Sequence, residues 1–191
     1  MGEFMAMVAE APPVRAGYRH DAQLVAATCV AIRRAGIDFA VHLPDTINYP
    51  LIRALDADPD VISVSCSRED EGVAIAMGAY LGGHWPVLLT EGSGLGLAGL
   101  ALARAVVQRT PLLILASHNS ALGERHDYAA ATRRVTEPLL DALTIPYVIA
   151  MRGSDIPMLI REAQMTVHGD RRPVAILLPR HSLHEIEEDR T

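Results

Sequence analysis

The chain is 191 residues long and half hydrophobic, with 17 lysines and arginines against 23 acids and a formal charge of −6. Such a length suits one domain with a substantial core and leaves no room for a second full one. An acidic balance without any long basic run excludes nucleic acid or an anionic membrane as the main partner, which leaves small molecules and proteins.

The opening "MGEFMAMVAEAPPVRAG" lacks the apolar middle of a signal peptide, so residues 1–18 are expected to form a mobile tail, in part a cloning scar. No apolar run is long enough to cross a bilayer. Cys29 and Cys66 stand far apart without a C-x-x-C pair, so neither zinc nor redox chemistry is indicated, and a reduced, cytoplasmic setting is expected.

From residue 19 to 182 short β-rich runs alternate with helical patterns. "DAQLVAATCVAIRRAG" reads as a helix closed by Gly36, followed by the strand "FAVHL", the helix "NYPLIRALDAD" and the strand "VISVSCS". "SREDEGVAIAMGAYLGG" then reads as a helix whose mouth is charged and whose remainder looks buried on every side. The strand "PVLLT", the helix "LGLAGLALARAVVQ", the strand "PLLILAS" and a polar loop from His118 to Tyr128 come next. The helix "AAATRRVTEPLLDAL", the strand "PYVIA", the helix "DIPMLIREAQMTVH" and the strand "PVAILLP" complete the series, and "HEIEEDRT" reads as an acidic solvated tail, placed at 183–191.

Strands of continuous Val, Ile and Leu are those of a parallel sheet covered on both faces. The expected fold is therefore α/β: one doubly wound, mostly parallel six-stranded sheet with helices on both sides. Ligands in such folds sit at the carboxyl ends of the strands, which singles out "PDTIN", "SREDE", "TEGSGLG" and "SHNSALGERHDY".

At the charged mouth, Ser67 and Asp70 have the spacing of a capping box, and acids in a first helical turn are favoured by the helix dipole. Glu69 and Glu71 are different, because each stands above an apolar stripe: Val73, Ala76, Met77 and Tyr80 for the first, Ala74, Ile75 and Gly78 for the second. A buried carboxylate must be protonated, paired or bonded to a ligand.

Glu69 followed by Ala76-Met77-Gly78-Ala79-Tyr80 resembles the pyrimidine-binding domain of thiamine diphosphate-dependent decarboxylases, in which a glutamate lies nine residues before the glycine. "GIDFAVHLPD", "REDEGVAIAMGAYLGG", "GSGLG" and "LLDALTIPY" sharpen the likeness, toward the α subunit of sulfopyruvate decarboxylase and the matching part of phosphonopyruvate decarboxylase. The resemblance implies thiamine diphosphate as cofactor, with Glu69 hydrogen-bonded to N1′ of the aminopyrimidine. It also implies non-oxidative decarboxylation of a small 2-oxo acid to an aldehyde.

It further implies that Ser93, Gly94, Leu95 and Gly96 lie near the cofactor, and that Asp45, Thr46, Asn48, His118 and Arg125 approach the substrate. Capping of the next helix is an equal reading of Asp45 and Thr46. Relatives often have glutamine and serine where this chain has Glu91 and Gly92, and the added charge bears on whether a phosphonate or sulfonate is accepted.

The family's second domain binds the diphosphate through Mg²⁺ at a Gly-Asp-Gly motif, and this chain has none. The expectation is an α-type subunit, inactive alone, whose β-type partner holds the diphosphate and the metal. The alternative is a non-catalytic nucleotide-binding or regulatory module using Gly94-x-Gly96-x-x-Gly99, although the strand that follows ends in Ser117, His118 and Asn119 rather than the acid a ribose would need. G-x-S-x-G fails around Ser93, where Glu91 and Leu95 stand. His181 and His184 have metal-like spacing without a nearby third ligand.

Overall fold

The computed structural model describes residues 17–119 and 130–187. In chain order these form β1 (Gly17–His20), α1 (Ala22–Arg34), β2 (Phe39–His42), α2 (Tyr49–Asp56), β3 (Ile62–Ser65), α3 (Glu69–Leu81) and β4 (Pro86–Glu91). A 3₁₀ turn (Ser93–Gly96), α4 (Gly99–Val107), β5 (Leu112–His118), α5 (Ala130–Ala142), β6 (Tyr147–Ile149), α6 (Ile156–Asp170), β7 (Pro173–Pro179) and β8 (His184–Glu187) follow.

The six expected strands form one parallel sheet in the order β3-β2-β4-β5-β7-β6. β5 and β7 are buried along their whole length, as continuous Leu, Ile and Val runs require, whereas the edge strands β3 and β6 expose Ile62 and Val148. One core lies under α1, α2 and α6, built on Ile32, Leu51, Leu55 and Ile160. The other lies under α3, α4 and α5, built on Val73, Leu102, Leu112 and Leu140. Among the described residues no helix is long and apolar enough to cross a membrane.

Local chemistry sets the boundaries. Asp21 caps α1, its Oδ1 accepting from the N–H groups of Gln23 and Leu24 at 3.0 Å, and Gly36 turns the chain away at φ 76°. The mouth of α3 departs from the expected capping box. Arg68 is the N-cap residue and makes no side-chain cap, Asp70 pairs with Arg68 at 3.0 Å, and the Ser67 N–H donates to Glu71 Oε2 at 3.0 Å. The reason is reach: Glu71, one turn on, spans back to the backbone while Asp70 is held by a guanidinium.

Two further expectations change. The helix read from Leu95 starts only at Gly99, because Leu97 N–H to Gly94 O (2.9 Å) and Ala98 N–H to Leu95 O (3.1 Å) wind the preceding residues as a 3₁₀ turn. The solvated tail does not start at residue 183: Leu183 is fully buried, and β8 pairs antiparallel with β1, with His20 opposite His184. The acids there alternate with Ile186, so a strand that pairs with β1 satisfies its backbone without needing an apolar run.

Candidate functional site

β3 and β4 flank β2, so the chain reverses its direction of travel across the sheet between the loops after β2 and β4. Open α/β sheets bind ligands at that switch point, beyond the carboxyl ends of the strands. Pro44–Asn48 leads from β2 into α2, Gly92–Ala98 leads from β4 into α4, and Cys66–Arg68 leads from β3 into α3.

Glu69, the first residue of α3, is half-buried, and its carboxylate lies where a Cβ on Gly94 would have to go. Glycine at 94 is therefore what allows the acid and the 3₁₀ turn to meet. Glu71 is exposed and tied to the Ser67 backbone, which separates the two glutamates that the sequence left in parallel. Burial raises the pKa of the Cys66 thiol, with the charges of Glu71 and Glu69 adding to it, so an acidic field surrounds this corner.

The rest of the turn is packed rather than open. Leu95 is fully buried in the core under α3, α4 and α5. A Cβ on Gly96 would strike Val135 of α5, and one on Gly92 would press on Ser117 O and Thr136. Ser93 is half-buried at the start of the turn. Of the four residues named here by resemblance, Gly94 meets the Glu69 carboxylate, Leu95 is buried in the core, and Gly96 is exposed, with Val135 only on the side where a Cβ would point.

Beyond β2, Asp45 does two things at once. Oδ1 accepts from the N–H groups of Ile47 (3.1 Å) and Asn48 (2.7 Å), closing the turn ahead of α2 rather than capping the helix, whose N-cap residue is Asn48 with no side-chain cap, and Oδ2 accepts from the Ser117 hydroxyl at 2.8 Å. Burial raises the pKa of Asp45, the Asn48 N–H and Ser117 hydroxyl oppose the shift, and the charge of Glu91 adds to it. Asp45, exposed Thr46, His20, Pro44 and Tyr49 line a hollow of about 440 Å³. His20 belongs to the strand that pairs with the chain's end, and no local signal in the sequence places it here.

Asn48 is fully buried, not open to a ligand: Nδ2 donates to Thr90 O (3.2 Å) and Leu115 O (3.4 Å), tying the start of α2 to the sheet. His118 is also buried, with Nε2 3.1 Å from Glu137 Oε1 of α5. Arg125 lies outside the described residues. Ser117 and Asn119 enter the sequence reading only as the non-acidic end of β5, and no local pattern there shows that they reach Asp45 and Glu91. Asn119 Nδ2 donates to Glu91 Oε1 at 3.3 Å.

Buried polar atoms are almost always partnered. At this end of the sheet Asn48 Oδ1, Asn119 Oδ1, Thr132 Oγ1 and Thr136 Oγ1 are buried without a partner among the described residues. His181 and His184, by contrast, each meet a backbone carbonyl, of Met151 (3.2 Å) and Arg180 (2.9 Å).

A doubly wound sheet with a glutamate held at its switch point defines a class, and the comparisons agree. Residues 22–145 match the family model for the thiamine pyrophosphate enzyme, N-terminal TPP binding domain, and the chain belongs to that family. More particularly, it is 34% identical over 149 residues to sulfopyruvate decarboxylase subunit alpha of Methanococcus maripaludis, covering 78% of this chain and 89% of that one. The same subunit of Methanothermobacter thermautotrophicus is 33% identical, over 63% of this chain and 74% of that one.

Among solved structures, benzoylformate decarboxylase from Polynucleobacter necessarius superposes with a TM-score of 0.66 at 22% identity, over 88% of this chain and 32% of that one. The Rhodococcus jostii thiamine diphosphate-dependent 4-hydroxybenzoylformate decarboxylase gives 0.63 at 17% identity, over 84% and 30%. The chain thus spans about a third of these longer structures, which share its fold.

Proposed function

We propose that this chain is the α-type subunit of a two-chain thiamine diphosphate-dependent decarboxylase acting on a small 2-oxo acid of the sulfopyruvate or phosphonopyruvate kind. The observation that carries the reading is the Glu69 carboxylate seated on Gly94 at the switch point. That placement suits the aminopyrimidine half of the cofactor: an acid at the start of a helix whose Val73 and Ala76 are buried, let in against the backbone by a glycine.

When bound, thiamine diphosphate supplies the nucleophilic carbon and the ring that accepts the electron pair as carbon dioxide leaves. Glu69 would hydrogen-bond N1′ of the aminopyrimidine, a role that requires a carboxyl group within hydrogen-bond reach of the ring nitrogen. Asp45, steadied by Ser117, and Thr46 line the hollow in which the 2-oxo acid is oriented. The unpartnered amide oxygen of Asn119 is a hydrogen-bond acceptor on that side.

Glu69 offers the cofactor one half of a site, and the chain has no Gly-Asp-Gly, so the β-type partner brings the diphosphate half with its Mg²⁺. The helices that begin at Glu69 and just after Gly94 support this. Leu81 (82%) of α3, Leu100 (70%) of α4 and Leu97 just before α4 are exposed along a groove of about 490 Å³ that Asp70, the residue after Glu69, also lines. A partner covering these leucines would lie along the helix whose first residue is Glu69.

The nucleotide-binding reading is disfavoured by the same geometry, since a phosphate approaching Gly94 would meet the Glu69 carboxylate. The deciding experiment reconstitutes the chain with a partner bearing Gly-Asp-Gly and follows carbon dioxide release from a panel of 2-oxo acids. Turnover by the isolated chain would overturn the subunit assignment, and an assembly inert toward every 2-oxo acid would overturn the decarboxylase assignment.

A further inference from the structure

On the face of the sheet away from Glu69, α1 and α6 leave between them an open groove of about 950 Å³. Ala27, Ala31 and Ala35 recur at every fourth position of the α1 wall, and small side chains one turn apart leave a channel beside the helix. Over eight residues at the helical rise this channel is about 12 Å long. Val30 and Met165 stand at its lip, 49% and 65% exposed.

Three polar features show what the groove would hold. Gln164, only 5% exposed, lines it, and its Oε1 is buried with no hydrogen-bond partner, while Nε2 lies 3.3 Å from His168 Nε2. A buried carbonyl oxygen of this kind lacks a donor. Arg34 lines the groove from α1 and Arg161 from α6, and neither has an ion-pair partner among the described residues. The contrast with Arg33 is instructive: it is held by Asp58 and Asp60 at 2.7 Å each. In a chain of net charge −6, two uncommitted guanidinium groups meet at one apolar channel.

We propose that the α1/α6 groove is a second ligand site, for a small organic carboxylate with an apolar body about 12 Å long. Its anionic end lies between Arg34 and Arg161, its body covers the alanine channel, and a hydroxyl on that body donates to Gln164 Oε1. The volume falls within the range of small-molecule sites, roughly 300–1,000 Å³. Because the groove and Glu69 are on opposite faces, an occupant acts apart from the cofactor. The proposal stands independently of the decarboxylase reading.

The test is calorimetric titration of the full chain with 3-hydroxyoctanoate, whose hydroxyl stands close to the carboxylate as Gln164 stands one helical turn from Arg161, with 1,3-octanediol as the uncharged control and octanoate as the control lacking the hydroxyl. Saturable binding is expected for the hydroxy acid, about tenfold weaker for either control and at least tenfold weaker in Arg34→Ala/Arg161→Ala. Gln164→Leu should bring the hydroxy acid down to the level of octanoate. Equal binding of diol and acid, which needs no variant to measure, would overturn the proposal, as would no saturation in the millimolar range. A dimer by sedimentation that Met165→Glu dissociates would also overturn it, by assigning the groove to a second copy.

Discussion

Gly94 illustrates how one absent atom shapes a site. A Cβ there would occupy the space of the Glu69 carboxyl group, so Gly94→Ala should fold with near-native stability yet lower turnover of the reconstituted enzyme by displacing the acid. Glu69→Gln keeps the shape and removes the acid. Assembly with the partner should survive, and kcat should fall about a hundredfold or more. Retention of full activity would transfer the role to another residue. Glu91 tests substrate choice: it shares one face of the sheet end with Asp45 and Ser117, and its charge raises the Asp45 pKa. Glu91→Gln removes a negative charge close to the hollow, so kcat/KM for sulfopyruvate should rise relative to that for pyruvate, read from initial rates on both.

Elements act through their faces. α3 is apolar almost all round, yet it buries only one side, with Gly72, Val73 and Ala76 against the sheet. Gly72 fits tightly there, its missing Cβ being 3.0 Å from Leu88 Cδ1 and 3.1 Å from Cys66 Sγ, so in Gly72→Ala an overpacking cost of about 1–3 kcal/mol is offset by about 0.5–1 kcal/mol of helix propensity, and denaturant unfolding should show a net loss of about 2 kcal/mol or less. The opposite side exposes Leu81 and its α4 neighbour Leu100, the face the proposed partner would cover. Leu100→Asp should leave the isolated chain's melting temperature unchanged and abolish copurification with the β-type subunit. The β1/β8 ribbon responds to acid. Burial pushes the pKa of His184 down from 6.5 to about 4, while its hydrogen bond to Arg180 O opposes that shift. Between those values the unfolded chain holds the extra proton, so stability present above 6.5 is lost as pH falls toward 4. The melting temperature should drop over that window, and His184→Gln should flatten the profile.

At the scale of the whole molecule, a six-stranded sheet separates two cores, and the proposed site lies at its switch point. Family membership was legible in the sequence because its signals are local. A strand buried on both faces must be apolar throughout, which makes β4, β5 and β7 readable, and the nine residues from Glu69 to Gly78 carry the family resemblance that helical periodicity alone, equal for Glu69 and Glu71, does not. What no local pattern carries is which side chains from distant strands converge. The contact of Glu69 with Gly94, the grip of Ser117 on Asp45, the burial of Asn48 and the return of β8 to β1 arise only when the sheet order brings those segments together. The order β3-β2-β4 is decided by packing two helical layers on opposite faces, a global balance of buried surface that no single stretch of residues records.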